Sequence, residues 1–176
     1  MRIAFRLLEE DDLGWFGRWL ADPEVDRWFH TEDLSPEGIA AKYHPRIVGE
    51  EPVEQWLAVI DEREVAWLQT YPIAVDAGYQ AACTGVGVAP EAGGVDYLVG
   101  TAADRGRGLG PKVIQAFVTD IVFGGHVWPE VCAGAHPDNL RSWRALAKAG
   151  FAFAGLIETV DGPERLMACR RPEPTH

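Results

Sequence analysis

Apolar and polar positions along the chain switch between two periods, and the switches mark out its elements. Arg2 to Leu8 alternates apolar and polar residues and predicts an opening strand. The acidic run Glu9 to Asp12 gives way to Leu13, Phe16, Trp19 and Leu20, whose spacing predicts a helix with negative charge at its N-terminal end. Ser35-Pro36-Glu37 is a start signal for a second helix running to about Gly49. Gln55 to Ile60 and Glu64 to Tyr71 read as two strands joined by the charged turn Asp61-Glu62-Arg63. No periodicity is read between Pro72 and Gly94, a connection long enough to suggest a functional loop.

Order returns with Val95 to Val99, a short strand, followed by a glycine-rich turn. From Leu109 the apolar residues Leu109, Val113, Phe117 and Ile121 recur at every fourth position, with Ile114, Val118 and Val122 beside them, which predicts a helix with a broad buried face. Val131 to Ala133 reads as a strand, Asn139 to Lys148 as a helix stopped by Gly150. Phe151 to Val160 and Glu164 to Arg170 read as closing strands around the turn Asp161-Gly162-Pro163. The pattern is mixed α/β with a strand–glycine turn–helix unit at its centre. No repeat or linker divides it, so one domain is expected over residues 1–172, with 173–176 as a tail.

Composition narrows the function. An apolar fraction of 47% and seven tryptophans allow a packed core, which excludes a disordered chain. Apolar runs are too short to span a bilayer and the N-terminus carries no export signal, so a cytoplasmic protein without membrane contact is expected. Three widely spaced cysteines, Cys83, Cys132 and Cys169, indicate neither a disulfide framework nor a metal site. The net charge of −11 would repel nucleic acid and attract a polycationic small molecule, although net charge of either sign also serves solubility.

In so acidic a chain the segment Arg105-Gly106-Arg107-Gly108-Leu109-Gly110 stands apart. It lies between a strand and a helix. Glycines let the backbone turn sharply and approach a ligand, and the exposed N–H groups of the first helical turn favour an anion. Together with two arginines they form a receptor for pyrophosphate oxygens. The P-loop ending Gly-Lys-Ser/Thr is absent, and the evenly spaced glycines 106, 108 and 110 do not make a dinucleotide fingerprint.

On these residues the chain resembles the GNAT superfamily of acyl-CoA-dependent N-acetyltransferases. Arg105-x-x-Gly108-x-Gly110 matches the superfamily's Gln/Arg-x-x-Gly-x-Gly/Ala loop, and Asn139 to Phe151 is similar to its Asn-x-x-Ala/Ser…Lys-x-Gly-Phe segment. Within the superfamily the chain looks most like aminoglycoside 6'-N-acetyltransferases. Arg6 to Leu13, Trp19-Leu20, Gln69-Thr70-Tyr71, Gly94-Val95-Asp96 and Thr159 to Pro163 carry that similarity. The resemblance implies a mixed, mostly antiparallel sheet split at its middle and flanked by helices on both faces. Acetyl-CoA would lie in the split, held by the glycine segment and by Asn139, the latter equally readable as a helix cap. Backbone N–H groups of Leu98 and Val99 would stabilise the thioester oxygen. Asp96 would hold the acceptor ammonium and help remove its proton; its plain alternative is a solvent-facing acid at a strand start.

Further acceptor contacts are expected from Tyr71, from Asp161, which is also ordinary turn chemistry, and from Asp76 in the long loop. Trp28, Trp67 and Tyr79 are candidates to face a cationic sugar, or simply core. Two positions depart from the family. Leu146 stands where a proton-donating tyrosine is usual, and Gly134 replaces an aspartate, with His136 and Asp138 nearby. The expected activity is therefore acetyl transfer to the amine of a cationic small molecule, an aminoglycoside first, by a monomer or homodimer that needs no metal. Two alternatives are a siderophore-type N-acyltransferase of hydroxylated lysine-like amines and a catalytically silent acyl-CoA-binding module.

Overall fold

The computed structural model describes residues 1–173, so most of the expected tail lies outside the described residues. Seven strands follow the order β1-β2-β3-β4-β5-β7-β6. They are β1 (Ala4–Leu7), β2 (Glu54–Ile60), β3 (Arg63–Pro72), β4 (Gly93–Val99), β5 (Glu130–Ala135), β6 (Ala152–Thr159) and β7 (Gly162–Arg170). Pairing is antiparallel between β1 and β2, β5 and β7, and β6 and β7, and parallel between β4 and β5. The parallel pair is short. It joins Gly93 to Val131 and Gly94 to Cys132, and the rest of β4 has no β5 partner. The expected splayed, mostly antiparallel sheet is the one observed.

The chain forms two compact units, Met1–Gln69 with Tyr97–Arg107, and Thr70–Asp96 with the residues from Gly108 on. In the first unit, helix α1 (Leu13–Leu20) buries Phe16 and Leu20, while α3 (Pro36–Ile47) buries Ile39 and Tyr43. Ser35 caps α3 as its sequence predicts, its hydroxyl accepting from the N–H of Gly38 at 3.0 Å. Between them lies a helix the periodicity does not reveal, α2 (Pro23–Phe29), capped by Asp22 with proline in its first turn. Seven residues are too few for an amphipathic pattern to emerge, and only the Asp-Pro cap announces it. Trp67 is the hub of this core, 1% exposed, with the rings of Phe16, Phe29 and Tyr43 at 5.6, 5.9 and 6.1 Å. It is a packing residue.

In the second unit the stretch expected to be a loop holds a 3-10 turn (Ile73–Val75) and helix α4 (Ala77–Gly85). Its small, sparsely apolar residues give little periodic signal, yet Cys83 buries against Ile73, Cys132, Ile157 and Leu166. Helix α5 (Leu109–Ala116) continues as a π-helical segment, Phe117–Val122, and a short α6 (Phe123–Gly125), where an unbroken helix is expected. An apolar repeat of four overshoots 3.6 residues per turn, and a widened turn keeps Phe117, Val118 and Val122 buried. Helix α7 (Leu140–Lys148) packs on α5 and β5. No helix among the described residues is long and apolar enough to cross a membrane.

Candidate active site

The glycine segment has the geometry its composition predicts. Gly106 and Gly108 have φ of 73° and 75°, the left-handed region that costs a side-chain-bearing residue about 1–2 kcal/mol. Gly108 is the N-cap of α5 and supplies no side chain to cap it. The N–H groups of Leu109 and Gly110 therefore open the helix without a side-chain partner, as an anion would require. Arg107 is exposed, as a residue reaching for a soluble anion would be.

Arg105 differs from expectation. Its guanidinium donates to the carbonyls of Val99 (3.2 Å) and Gly100 (2.9 Å) and forms an ion pair with Asp22 (2.8 Å). Four of its five N–H groups are engaged in shaping the turn, whereas Arg107 is exposed. Asp104 adds a second brace. It is 2% exposed and receives two bonds from Arg63, at 2.7 and 2.8 Å, and one from the Thr101 hydroxyl at 2.6 Å. The Arg63 bonds hold its pKa below the ordinary aspartate value.

On β4, Leu98 and Val99 have different surroundings. The Leu98 side chain belongs to the first unit's core, beside Trp67. Gly100 donates its N–H to the Val65 carbonyl on β3, at 2.9 Å. Alternation along a strand then directs the N–H of Leu98 the same way, and that of Val99 to the opposite edge. Of the two expected oxyanion donors, Val99 is the one whose N–H is turned away from β3.

Asp96 is half-buried and receives a hydrogen bond from the Tyr71 hydroxyl, not a solvent-facing acid at a strand start. The Tyr71 ring lies over Gly94, where any Cβ would overlap it. Burial, then the charge of Asp96, raises the Tyr71 pKa well above that of a free phenol. Tyr79 on α4 behaves alike, raised by burial and by its neighbours Tyr71, Glu164 and Asp96. Asp161 is exposed on the β6–β7 turn, its N–H held by the Thr159 hydroxyl at 3.2 Å. Asp76 is exposed too and caps α4, accepting from the N–H of Tyr79 at 2.9 Å. Trp28 is a half-buried α2 residue of the first unit, stacked under Arg27 at 4.7 Å. The structure thus brings together Tyr71, Tyr79 and Asp96, and places Trp28 in the other unit.

Asn139 caps α7, its Oδ1 accepting from Ser142 at 3.2 Å. Leu146 is wholly buried within α7, so its position offers no proton to a ligand. Asp138 and His136 are exposed, linked by the Asp138 N–H to His136 Nδ1 at 3.2 Å.

Sequence reasoning did not single out Glu164. It lies on the β5–β7 face that carries Gly134 and Leu166, and a Cβ on Gly134 would collide with its carboxylate. Burial, then the charges of Asp96 and Asp161, pushes its pKa up to about 7. The signal was present in the alternation of β7, where Glu164 shares the inward phase of Leu166 and Ala168.

Residues 9–159 match the acetyltransferase (GNAT) domain family. An aminoglycoside N(6')-acetyltransferase type 1 of Klebsiella pneumoniae is 28% identical over 172 residues, covering 96% of this chain and 83% of the relative. Two solved structures of the aminoglycoside acetyltransferase AAC(6')-Ib are similar throughout. The complex with paromomycin and acetyl-CoA has a TM-score of 0.86 at 26% identity, covering 97% of this chain and 94% of that one. The complex with coenzyme A and kanamycin has a TM-score of 0.84 at 27% identity, covering 97% and 95%. With its glycine turn, its parting central strands and this match over most of its length, the chain belongs to the GNAT acetyltransferase family.

Proposed function

We propose that this protein transfers the acetyl group of acetyl-CoA to an amine of an aminoglycoside, acting as one GNAT domain over residues 1–172. The observation that carries the reading is near-complete coverage in both sequence and structure by aminoglycoside 6'-N-acetyltransferases. The residues fit the cosubstrate. Left-handed Gly106 and Gly108 present the uncapped start of α5 to a diphosphate, with Arg107 as the available cation. Acetyl-CoA supplies the activated thioester.

The chain's own groups do the rest. Asp96 takes the acceptor ammonium and receives its proton, so that the free amine nitrogen can form the new C–N bond as the C–S bond breaks. The N–H of Val99 is directed to stabilise charge on the thioester oxygen. As the amide forms, the nitrogen gives its second proton to water, and the departing thiolate takes one up from water, because the Leu146 side chain has none to give. The tyrosine ring faces and Asp161 suit a polycationic sugar, as does the net charge of −11. A role in aminoglycoside resistance and a cytoplasmic location follow from the same reading.

Mixing the protein with acetyl-CoA and kanamycin and following free thiol tests it. Kanamycin-dependent thiol release is expected. None with any aminoglycoside overturns the reading, and tight CoA binding without release selects the silent module that Leu146 allows.

A further inference from the structure

Glu164 combines three features that no structural role in the second unit explains. Its carboxylate fills the space above Gly134 that a side chain on β5 would otherwise occupy. Its Oε2 is buried and has no hydrogen-bond donor. The groups that act on it or feel its charge are Asp96 from β4, Asp161 from the β6–β7 turn, Tyr71 from β3, and Tyr79 and Cys83 from α4. None of these is a cation. The next residue, Arg165, turns away and stacks on Trp143 and Phe153 at 4.5 and 4.1 Å. A half-buried acid beside two others, its buried Oε2 without a donor and no cation among the groups that act on it, is unfavourable unless a ligand supplies both. An ammonium group does so, since it carries three donors and a positive charge.

Resting on the acetyltransferase reading above, we propose that Glu164 is a substrate-binding residue of the acceptor site, receiving one ammonium group of the polyamine beside the amine held by Asp96. The bare backbone of Gly134 makes room for it. Glu164 therefore sets preference for acceptors with several amines, while the glycine segment that binds the cosubstrate is indifferent to it. The raised pKa agrees, because a docked ammonium would favour the ionised carboxylate and bring it down.

Two measurements test this. In kinetics, Glu164→Gln is expected to raise KM for kanamycin about tenfold, leaving KM for acetyl-CoA unchanged. Gly134→Ala, which displaces the carboxylate without removing it, should do the same, and the double variant should add nothing further. In carbon NMR of the wild-type protein, the Glu164 carboxyl should titrate near 7 alone and at least one pH unit lower with kanamycin present. Unchanged kanamycin KM in Glu164→Gln overturns the proposal, even with active wild-type enzyme, and so does a Glu164 titration that kanamycin does not move. A kanamycin-dependent titration shift in a protein that releases no thiol supports ammonium binding at Glu164 while rejecting the transferase reading.

Discussion

Asp12, Glu64, Asp104 and Asp22 of the first unit each meet an arginine, whereas the groups around Glu164 of the second are other acids, tyrosine hydroxyls and a thiol. The pairs of the first unit are structural. Arg6 bridges the start of α1 to β3 through Asp12 and Glu64, and Arg63 and Arg105 shape the glycine turn through Asp104 and Asp22. Burial alone would raise the Asp12 pKa, but its bonds from Arg6 and the Glu9 N–H bring it below normal. In the second unit, burial and like charge act together and push Glu164 the other way. Charge matched within the chain holds the scaffold; charge left for a ligand to match marks the site.

Substitutions can break this comparison. The largest effect is expected at Asp96, where Asn cannot accept the amine proton. Asp96→Asn should lower kcat/KM for kanamycin by about 10²-fold or more with little change in melting temperature. A comparable loss of stability in Asp96→Asn would make it a scaffold acid like those of the first unit.

Next comes pH. Glu164 has a folded pKa of about 7 against an ordinary value of 4.5, so the folded form binds its proton more tightly. Its contribution is fully present below pH 4.5 and is lost as pH rises to 7, a cost on the order of 3 kcal/mol. The first unit's acids, whose folded pKa values are lowered, show the opposite sign: their stability is present above their ordinary values of 3.8 to 4.5 and is lost as pH falls below them. Urea unfolding of wild type and Glu164→Gln across pH 2–8 separates the two; the variant should flatten the upper slope and leave the lower one.

A smaller effect is expected from Asp104→Ala, which removes the brace of the glycine turn. It should destabilise the protein by about 1–3 kcal/mol in urea titration and weaken CoA binding as a consequence. Smallest is Gly108→Leu. Nothing lies within 4 Å of a Cβ there, so only the left-handed backbone opposes it, at about 1–2 kcal/mol. If the amides of α5 bind the diphosphate, calorimetry should show CoA affinity reduced about tenfold; unchanged affinity would reject that cradle.

The sequence by itself determined the strands and the long helices, because each buries one face and its apolar period must match its geometry. It also determined the glycine segment, whose left-handed positions only glycine occupies without strain. Short α2 and small-residue α4 escaped notice, since seven to nine residues with few large apolar side chains carry almost no period. Tertiary structure alone decided what charge and aromatic residues do. A sequence shows that Arg105, Asp76, Trp67 and Glu164 are present, but partners distant in the chain turn the first into a tie to Asp22, the third into a core hub and the last into an uncompensated acid over Gly134. Asp76 follows the same logic at short range, becoming the cap of a helix that the pattern did not announce. Burial and partner distance set the energy of a charge, and both exist only once the chain has folded.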